Sequence, residues 1–198
     1  QQTLMELLIE HVPNKKEIRT EEDTPKDLSE WVGVIRNIHD EVKEIDWSYM
    51  DLRGPIDFQW LPLSLTKFEI VNDILSHGYI GGTIELTDLP ESLISLDVHG
   101  NHLEGTVTLT TLPSRMLYLS VSENWLCGIL DLTKLPSTLQ VLQLSRNKFE
   151  GVTDFTKLPK SLSEFDVSWN TDLKGVIQVT NWSLDCHVDE SQVEKIYL

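Results

Sequence analysis

Residues Leu135 to Lys157 read LPSTLQVLQLSRNKFEGVTDFTK, and the chain continues at Leu158 with LPKSLSEFDVSWN. The two stretches carry leucine, proline and asparagine in the same order and at the same distances. Segments that begin at Leu89 and Leu112 follow the same pattern, so the units share a period of about 23 residues. Self-similarity at such a period indicates a solenoid, in which each repeat forms one coil.

Apolar and polar residues alternate within each unit as they do in a short strand that is buried on one side. The alternation predicts that these residues point inward: Leu93, Leu96 and Val98; Leu119 and Val121; Leu142 and Leu144; Phe165 and Val167. A single unit cannot bury its apolar side alone, so stacked units in a parallel sheet must bury it against each other. A second apolar alternation, in GTVTL, GILDL and GVTDF, predicts the outer wall of the coil.

The pattern LxxLxLxxNxLxG recurs in register and resembles the leucine-rich repeat family from about Val42 to Val179. The resemblance implies an α/β solenoid: a short horseshoe with a parallel concave sheet of about six strands, a helical N-terminal cap and a small C-terminal cap. It also implies a ladder of buried side chains at Asn101, Asn124, Asn147 and Asn170. A glycine follows each asparagine, at Gly105, Gly128, Gly151 and Gly175, where a tight turn or a close backbone approach suits it.

The pattern weakens toward both ends, which divides the chain into a cap (1–41), repeats (42–180) and a second cap (181–198). Met50 and Asp73 stand in asparagine places, and DILSHGY lengthens one unit into a bulging loop. We expect the segment 14–27 to be a mobile charged link and the last residues to close the core with a short helix.

EWVGV and VKEIDWS are similar to the N-terminal caps of plant-type and protist leucine-rich repeat proteins. Those caps usually carry a cysteine pair, but Arg36 stands where one cysteine is expected, which argues against a secreted receptor ectodomain.

Composition narrows the class of partner. The formal net charge of −16 opposes binding to nucleic acid or to an anionic membrane, and it favours another protein with a basic surface. Cys127 and Cys186 are too few for a disulfide scaffold and lack zinc-site spacing, so we expect two free buried thiols and an intracellular, cytoplasmic setting. Asn181 begins a glycosylation triplet, which matters only in a secreted protein.

Outward residues of successive strands should form columns on the concave face. One column is Asp46, Glu69, Asp97, Ser120, Gln143 and Asp166, and its neighbour is Glu44, Lys67, Ser95, Tyr118, Val141 and Glu164. Adjacent acids repel each other, and a basic partner or a cation would relieve that cost. The other interpretation is that an acid between the two apolar strand positions is simply common in the family.

Aromatic side chains at or beside this face are candidate interface anchors. For Trp125 and Trp169, packing against neighbouring loops is an equal alternative, whereas Trp47 is predicted to lie in the core. The predicted partner-binding residues are Glu44, Asp46, Tyr49, Glu69, Asp97, His99, Tyr118, Trp125, Arg146, Glu164, Asp166 and Trp169.

The sequence gives little support to a catalytic function. His99, Asp97 and Ser122 are the inventory of a catalytic triad, but a flat, wet sheet offers no evident oxyanion site. No spacing enforces a closed set of metal ligands, and no phosphate-binding loop occurs. The sequence therefore predicts no catalytic residue, no metal and no cofactor. It predicts a monomer, or one subunit of a hetero-complex, that binds a protein through its concave face and the DILSHGY bulge. The alternatives are a structural subunit of a larger assembly and the repeat domain of a truncated receptor or enzyme.

Overall fold

Short strands recur along the chain at the period of the sequence repeat. The computed structural model describes residues 1–19, 27–73, 75–179 and 183–197. The strands of these residues are β1 (Val34–Arg36), β2 (Val42–Asp46), β3 (Gly54–Pro55), β4 (Lys67–Glu69), β5 (Ile80–Thr83), β6 (Ser95–Asp97), β7 (His102–Thr106), β8 (Tyr118–Ser120), β9 (Trp125–Gly128), β10 (Val141–Gln143), β11 (Lys148–Val152), β12 (Glu164–Asp166), β13 (Asp172–Val179), β14 (Asp185–His187) and β15 (Gln192–Tyr197). Short 3-10 helices occupy Leu28–Glu30, Phe58–Trp60 and Leu86–Asp88.

Each coil contributes one strand to each of two sheets. The first sheet has the order β1-β2-β4-β6-β8-β10-β12-β14, and the second has the order β15-β13-β11-β9-β7-β5-β3. Every neighbouring pair is parallel except β1 and β2. The chain is therefore a solenoid of stacked coils with a parallel sheet, as the repeat predicts.

A file of inward side chains runs through the first sheet and confirms the predicted spine. Strand register pairs Leu96 with Leu119, Leu119 with Leu142, and Leu142 with Phe165, and all four side chains are fully buried. Trp47 is also buried, as predicted, and its Nε1 donates a hydrogen bond to the carbonyl of Val32. The second wall follows the predicted alternation at Leu130, Leu132 and Phe155, although its strands begin earlier, within two residues of the asparagines of the predicted ladder.

The predicted asparagine ladder is present, and its amides bridge consecutive coils. Asn124 Nδ2 donates to the carbonyls of Val98 at 3.0 Å, Val121 at 3.1 Å and Ser122 at 3.0 Å. Its Oδ1 accepts the backbone N–H of Leu103 at 2.9 Å. Asn101, Asn147 and Asn170 make the equivalent bonds. Each amide thus satisfies backbone groups that the turn would otherwise bury without partners.

One position of the predicted ladder is wrong by a single residue. Asn72, not Asp73, is buried at the start of the ladder, where its Nδ2 donates to Asn101 Oδ1 at 2.8 Å. Asp73 instead caps the following loop by accepting the backbone N–H of Leu75. The loop is longer than its equivalents, as DILSHGY predicts, and Leu75 is exposed there. Ile74 lies outside the described residues.

The N-terminal cap contains two short helices, α1 (Gln2–Leu8) and α2 (Lys16–Arg19), followed by the antiparallel strand β1. It is therefore less helical than expected. The described part of the predicted mobile link is packed: Ile18 is buried, and Asn14 Nδ2 donates to the carbonyl of Asp51 at 2.9 Å. Residues 20–26 of that link lie outside the described residues.

The expected C-terminal helix is wrong, because the described residues after 183 form β14 and β15. They make a further coil, in which Cys186 pairs in register with Phe165 and extends the buried file. The first sheet therefore has seven parallel strands in the described chain, where about six were predicted. The triplet at Asn181 includes residues outside the described part.

Candidate functional site

The solvent-facing side of the first sheet, here called the display face, carries two rows of side chains in the predicted register. The first row is Glu44, Lys67, Ser95, Tyr118, Val141, Glu164 and Asp185. The second row is Asp46, Glu69, Asp97, Ser120, Gln143, Asp166 and His187. Strand alternation places both rows outward because Leu119, Leu142 and their equivalents occupy the inward positions between them.

A chain of polar contacts links five residues of the display face across four strands. Asp97 Oδ1 accepts hydrogen bonds from His99 Nδ1 at 2.8 Å and from the His99 backbone N–H at 3.2 Å. Asp97 Oδ2 lies 3.0 Å from the Tyr118 hydroxyl, which also lies 3.2 Å from Gln143 Oε1. Gln143 Nε2 in turn donates to Glu164 Oε1 at 2.6 Å. These five residues, here called the display network, hold their side chains in fixed positions.

The display network shifts the ionisation of its members. Burial alone would raise the pKa of Asp97, but the hydrogen bonds and charge of His99 hold it below its usual value. The hydrogen bond to Asp97 raises the pKa of His99 against the opposing effect of burial. Burial and then the Asp97 charge raise the pKa of Tyr118, which keeps the phenol protonated. The network therefore contains an ionised carboxylate beside a neutral phenol.

The repulsion predicted among Asp46, Glu69 and Asp97 is relieved within the molecule. Lys67 Nζ lies 2.9 Å from Glu69 Oε2. This hydrogen bond raises the pKa of Lys67. Burial opposes the increase, and the negative charges of Glu69, Asp46 and Glu44 add to it. Asp97 has His99, and Asp46 Oδ1 accepts the backbone N–H of Ser48 at 3.0 Å. The predicted column of acids is thus partly neutralised, at Glu69 by Lys67 and at Asp97 by His99.

One residue of most coils, directly before the asparagine or its equivalent, forms a further row that we call the rim row. Its φ angles are 58° at Tyr49, 69° at Gly100, 54° at Glu123, 53° at Arg146, 59° at Trp169 and 53° at Glu190. This left-handed conformation is unfavourable for residues other than glycine. Hydrogen bonds between coils hold it: the backbone N–H of Arg146 donates to Ser168, and that of Trp169 donates to Asp189.

The rim row unites three predicted site residues, Tyr49, Arg146 and Trp169. The Arg146 guanidinium lies 4.8 Å from the centre of the Trp169 ring and also contacts Glu123 at 3.5 Å. Trp169 remains 46% exposed and Tyr49 remains 60% exposed. Tyr49 also borders a cavity of about 500 Å³ lined by Asn14 and Arg53. Arg146 therefore covers part of Trp169, and Tyr49 lies apart from both.

Trp125 belongs to a separate aromatic stack along the second sheet. Its ring lies 4.3 Å from that of His102, which lies 4.3 Å from that of Tyr79. Lys148 Nζ lies 5.6 Å from the Trp125 ring centre. The loop-packing alternative thus describes much of the Trp125 environment, although the side chain remains partly exposed. Tyr79, His102 and Lys148 were absent from the predicted site, yet the latter two follow the ladder asparagines directly, a position the repeat identifies.

The arrangement gives no support to a catalytic triad. His99 contacts Asp97, but the hydroxyl of Ser122 is bonded to Ser145 Oγ at 3.1 Å. In the described parts of the chain, no group of three or more His, Cys, Asp or Glu residues is placed to hold a metal ion. Both cysteines are free; Cys186 is buried, which raises the pKa of its thiol, whereas Cys127 is only half-buried, contrary to expectation. Among the described helices, none has the length and apolar character needed to cross a membrane.

Comparison with solved structures shows that the solenoid is similar in fold to leucine-rich repeat proteins. Pollen receptor kinase 3 superposes with a TM-score of 0.76 at 20% identity, covering 98% of this chain and 95% of that one. The leucine-rich repeat ectodomain of SOBIR1 from Arabidopsis thaliana gives a TM-score of 0.66 at 20% identity, covering 87% and 94%. HAESA from Arabidopsis, in complex with the peptide hormone IDA and the co-receptor SERK1, gives 0.62 at 18% identity, covering 99% of this chain and 42% of that one. No protein-family model and no curated sequence matches the chain.

Proposed function

We propose that this leucine-rich repeat solenoid is a non-enzymatic recognition protein whose display face binds a basic protein partner. The observation that carries the proposal is the display network, which fixes Asp97, Tyr118 and Glu164 on a rigid sheet before any partner arrives. A side chain that is already ordered loses little conformational entropy on binding, so its contacts contribute more fully to affinity. The partly exposed aromatic residues of the rim row, Tyr49 and Trp169, would serve as anchors beside it.

Charge supports a basic partner. The net charge of −16 would attract a positively charged surface over distances of about 10 Å at moderate ionic strength. Such steering increases the association rate and makes it fall as salt is added. The long loop with the exposed Leu75 would provide a second contact.

The likeness to receptor ectodomains supports protein or peptide recognition as the general task, since HAESA is seen with a peptide hormone and a co-receptor. We further propose an intracellular, cytoplasmic setting. Its support is that Arg36 takes the place of a cap cysteine, and its guanidinium forms an ion pair with Asp40 instead.

Capture of partners from the native source tests the proposal, with identification of what co-elutes followed by binding measurements across ionic strength. We expect a variant with Asp97→Ala and Trp169→Ala to lose the captured partner, and the wild-type association rate to fall at least tenfold between about 0.05 and 0.5 M salt. Gln140→Leu, an exposed change outside the display face, is the control. A partner retained by the double variant with a flat salt response would contradict the proposal.

A structural subunit of a larger assembly is the second candidate, and an exposed apolar column on the second sheet favours it. Ile129 is 70% exposed and Val152 is 74% exposed at equivalent positions of adjacent coils, and Val176 is partly exposed in the next. Ile129→Ser with Val152→Ser would release such an assembly, whereas the double variant of Asp97 and Trp169 would leave it intact.

The repeat domain of a longer receptor or enzyme is the third candidate. The near-complete coverage of the pollen receptor kinase 3 chain supports it. The sequence of the full transcript tests it directly: a kinase or other catalytic domain in the same reading frame would favour this candidate, and a stop codon after Leu198 would reject it.

A further inference from the structure

The two ends of the coil stack are closed in different ways. At the N-terminal end, the cap covers the first coil: Leu8 and Ile9 are fully buried, and the backbone N–H of Asp57 donates to the carbonyl of Leu8. At the C-terminal end, β14 and β15 are the last strands of the two sheets, and in the described chain each has a neighbouring strand on one side only. An unpaired strand edge is a template to which a further strand can add.

The backbone of β14 presents an acceptor at this free edge. The N–H of Asp185 donates to the carbonyl of Ser163, and the carbonyl of His187 accepts the N–H of Val167, so both residues are bonded toward β12. Because alternate residues of a strand direct their backbone groups to opposite sides, the carbonyl of Cys186 faces away from β12. A further strand would need that carbonyl as a hydrogen-bond acceptor.

The ammonium group of Lys195 is bonded to this carbonyl. Lys195 Nζ donates to Cys186 O at 2.9 Å, although Lys195 belongs to β15 in the other sheet. The register of β15 with β13 pairs Lys195 with the buried residue Ile177, so the lysine side chain starts from an inward position. The half-buried side chain therefore crosses the end of the apolar core from one sheet to the other, and its charge lies at the free edge of β14.

The apolar core is not completely covered at this end. The inward residues Cys186, Val188 and Val193 of the last coil are 7%, 9% and 7% exposed, whereas Phe165 and Val167 of the preceding coil are fully buried. A further layer would remove the remaining apolar surface from water, which favours addition of a strand. Lys195 opposes this addition, because enclosing an ammonium group without an acidic partner is strongly unfavourable.

We propose that Lys195 is an end plug, and that loss of its charge turns the C-terminal end of the stack into a binding surface for a second copy of this chain. Each copy offers the same edge, so two β15 strands can pair about a two-fold axis. An axis at Lys195 brings two ammonium groups together, and an axis at Glu194 brings two carboxylates together; both arrangements are repulsive. The inference goes beyond the proposed function, since the plug is not part of the display face.

Sedimentation equilibrium of the whole chain over a series of protein concentrations tests the plug. Salt at about 0.5 M screens the net charge of −16, which would otherwise oppose every self-association. We expect the wild type to stay monomeric and Lys195→Met, which keeps a long side chain without the charge, to dimerise with a Kd on the order of 10 μM. Lys195→Arg keeps the charge and should stay monomeric. Lys174→Met is the matched control, because it removes an exposed lysine from the neighbouring strand β13.

Hydrogen exchange determines where the copies meet. The backbone N–H of Cys186 faces the same edge of β14 as its carbonyl, so an added strand would protect it. In Lys195→Met, we expect exchange of this N–H to slow at least tenfold between dilute, monomeric protein and concentrated, dimeric protein. The exchange rate should not depend on concentration in Lys174→Met.

Several outcomes would overturn the inference. One is a monomeric Lys195→Met that keeps the circular dichroism spectrum of the wild type, and another is equal association by Lys174→Met. Oligomers larger than a dimer would also contradict it, because the cap closes the N-terminal end of each copy. If Lys195→Met precipitates, Lys195→Gln decides, since it keeps an N–H donor for the Cys186 carbonyl and loses the charge: a dimer supports the plug, and a monomer rejects it.

Discussion

The asparagine ladder and the display network lie on the same coils, yet they differ in how completely their buried polar groups are hydrogen-bonded. Each predicted ladder amide, such as that of Asn124, has donors and acceptors in the same turn and in the adjacent coil, whereas Asn72 Oδ1, at the start of the ladder, has no hydrogen-bond partner in the described structure. On the display face, Ser120 has no partner, and Tyr118 has two acceptors for one proton. The contacts of the ladder recur from coil to coil, whereas the side chains of the display network differ from one coil to the next.

The difference separates residues that build the solenoid from residues of the proposed binding face. A satisfied amide gains nothing from a new contact, so the ladder has no reason to engage a partner. An unsatisfied hydroxyl gains from any donor or acceptor that reaches it.

Breaking the ladder should have the largest effect. Asn124→Leu would leave the buried N–H of Leu103 without its acceptor and the carbonyls of Val98 and Val121 without their donor. We expect the free energy of unfolding to fall by about 3 kcal/mol or more, since each orphaned group costs roughly 1–3 kcal/mol. Urea denaturation followed by circular dichroism measures this. Gln140→Leu introduces the same side chain at an exposed position and should change stability little; equal effects of both would show that the ladder is not what stabilises the coils.

Removing the Ser120 hydroxyl should change the free energy of unfolding less, and in the opposite direction. Ser120→Ala eliminates a buried polar atom without a partner, so we expect the free energy of unfolding to rise by about 1 kcal/mol. Ser122→Ala is the matched control in the next outward position of the same coil, where the hydroxyl is bonded to Ser145 and its loss should not stabilise. A thermal unfolding series compares the two variants. Destabilisation by Ser120→Ala would mean that the hydroxyl has a partner in solution.

The smallest expected effect concerns pH. The pKa of His99 is raised in the folded protein, so its pairing with Asp97 stabilises fully below about 6.5, the unfolded value, and is lost as the pH rises through the folded pKa. The pKa of Asp97 is lowered, so its share is present above about 3.9 and is lost as the pH falls. We expect the advantage of wild type over His99→Gln to stay below about 1 kcal/mol, because solvent partly screens the pair, and to shrink between pH 6 and 9. Urea midpoints of both proteins at several pH values measure it; an advantage that grew with pH would contradict the pairing.

The sequence was sufficient to predict what repeats. Register, inward file, ladder and display rows follow from the period, because identical units must stack with identical positions in contact. Prediction from the repeat failed where a different residue type occupies a conserved position of the motif. At the C-terminus, Cys186 and Val188 keep the strand spacing, but Ser191 stands in the asparagine place, 21 residues after Asn170, so the repeat pattern does not identify this coil. In that unit, residues other than leucine and asparagine occupy the inward and ladder positions, so the motif does not reveal it.

Contacts within the display face could not be predicted for a different reason. The columns place Tyr118 in one row and Asp97, Ser120 and Gln143 in the other, but they do not specify where a long side chain ends. Tyr118 reaches across the rows and touches residues on both neighbouring strands. Such contacts depend on rotamers that the packing of particular neighbours selects, and these neighbours differ from coil to coil.

The rim row has a consequence for how such a surface can change over evolutionary time. Tyr49, Arg146 and Trp169 share one backbone conformation, fixed by bonds between coils that do not involve their side chains. Duplication or loss of one coil would therefore add or remove one complete position of the rim row in a single genetic event. The surface could lengthen by one coil at a time while the positions of the existing coils stayed unchanged.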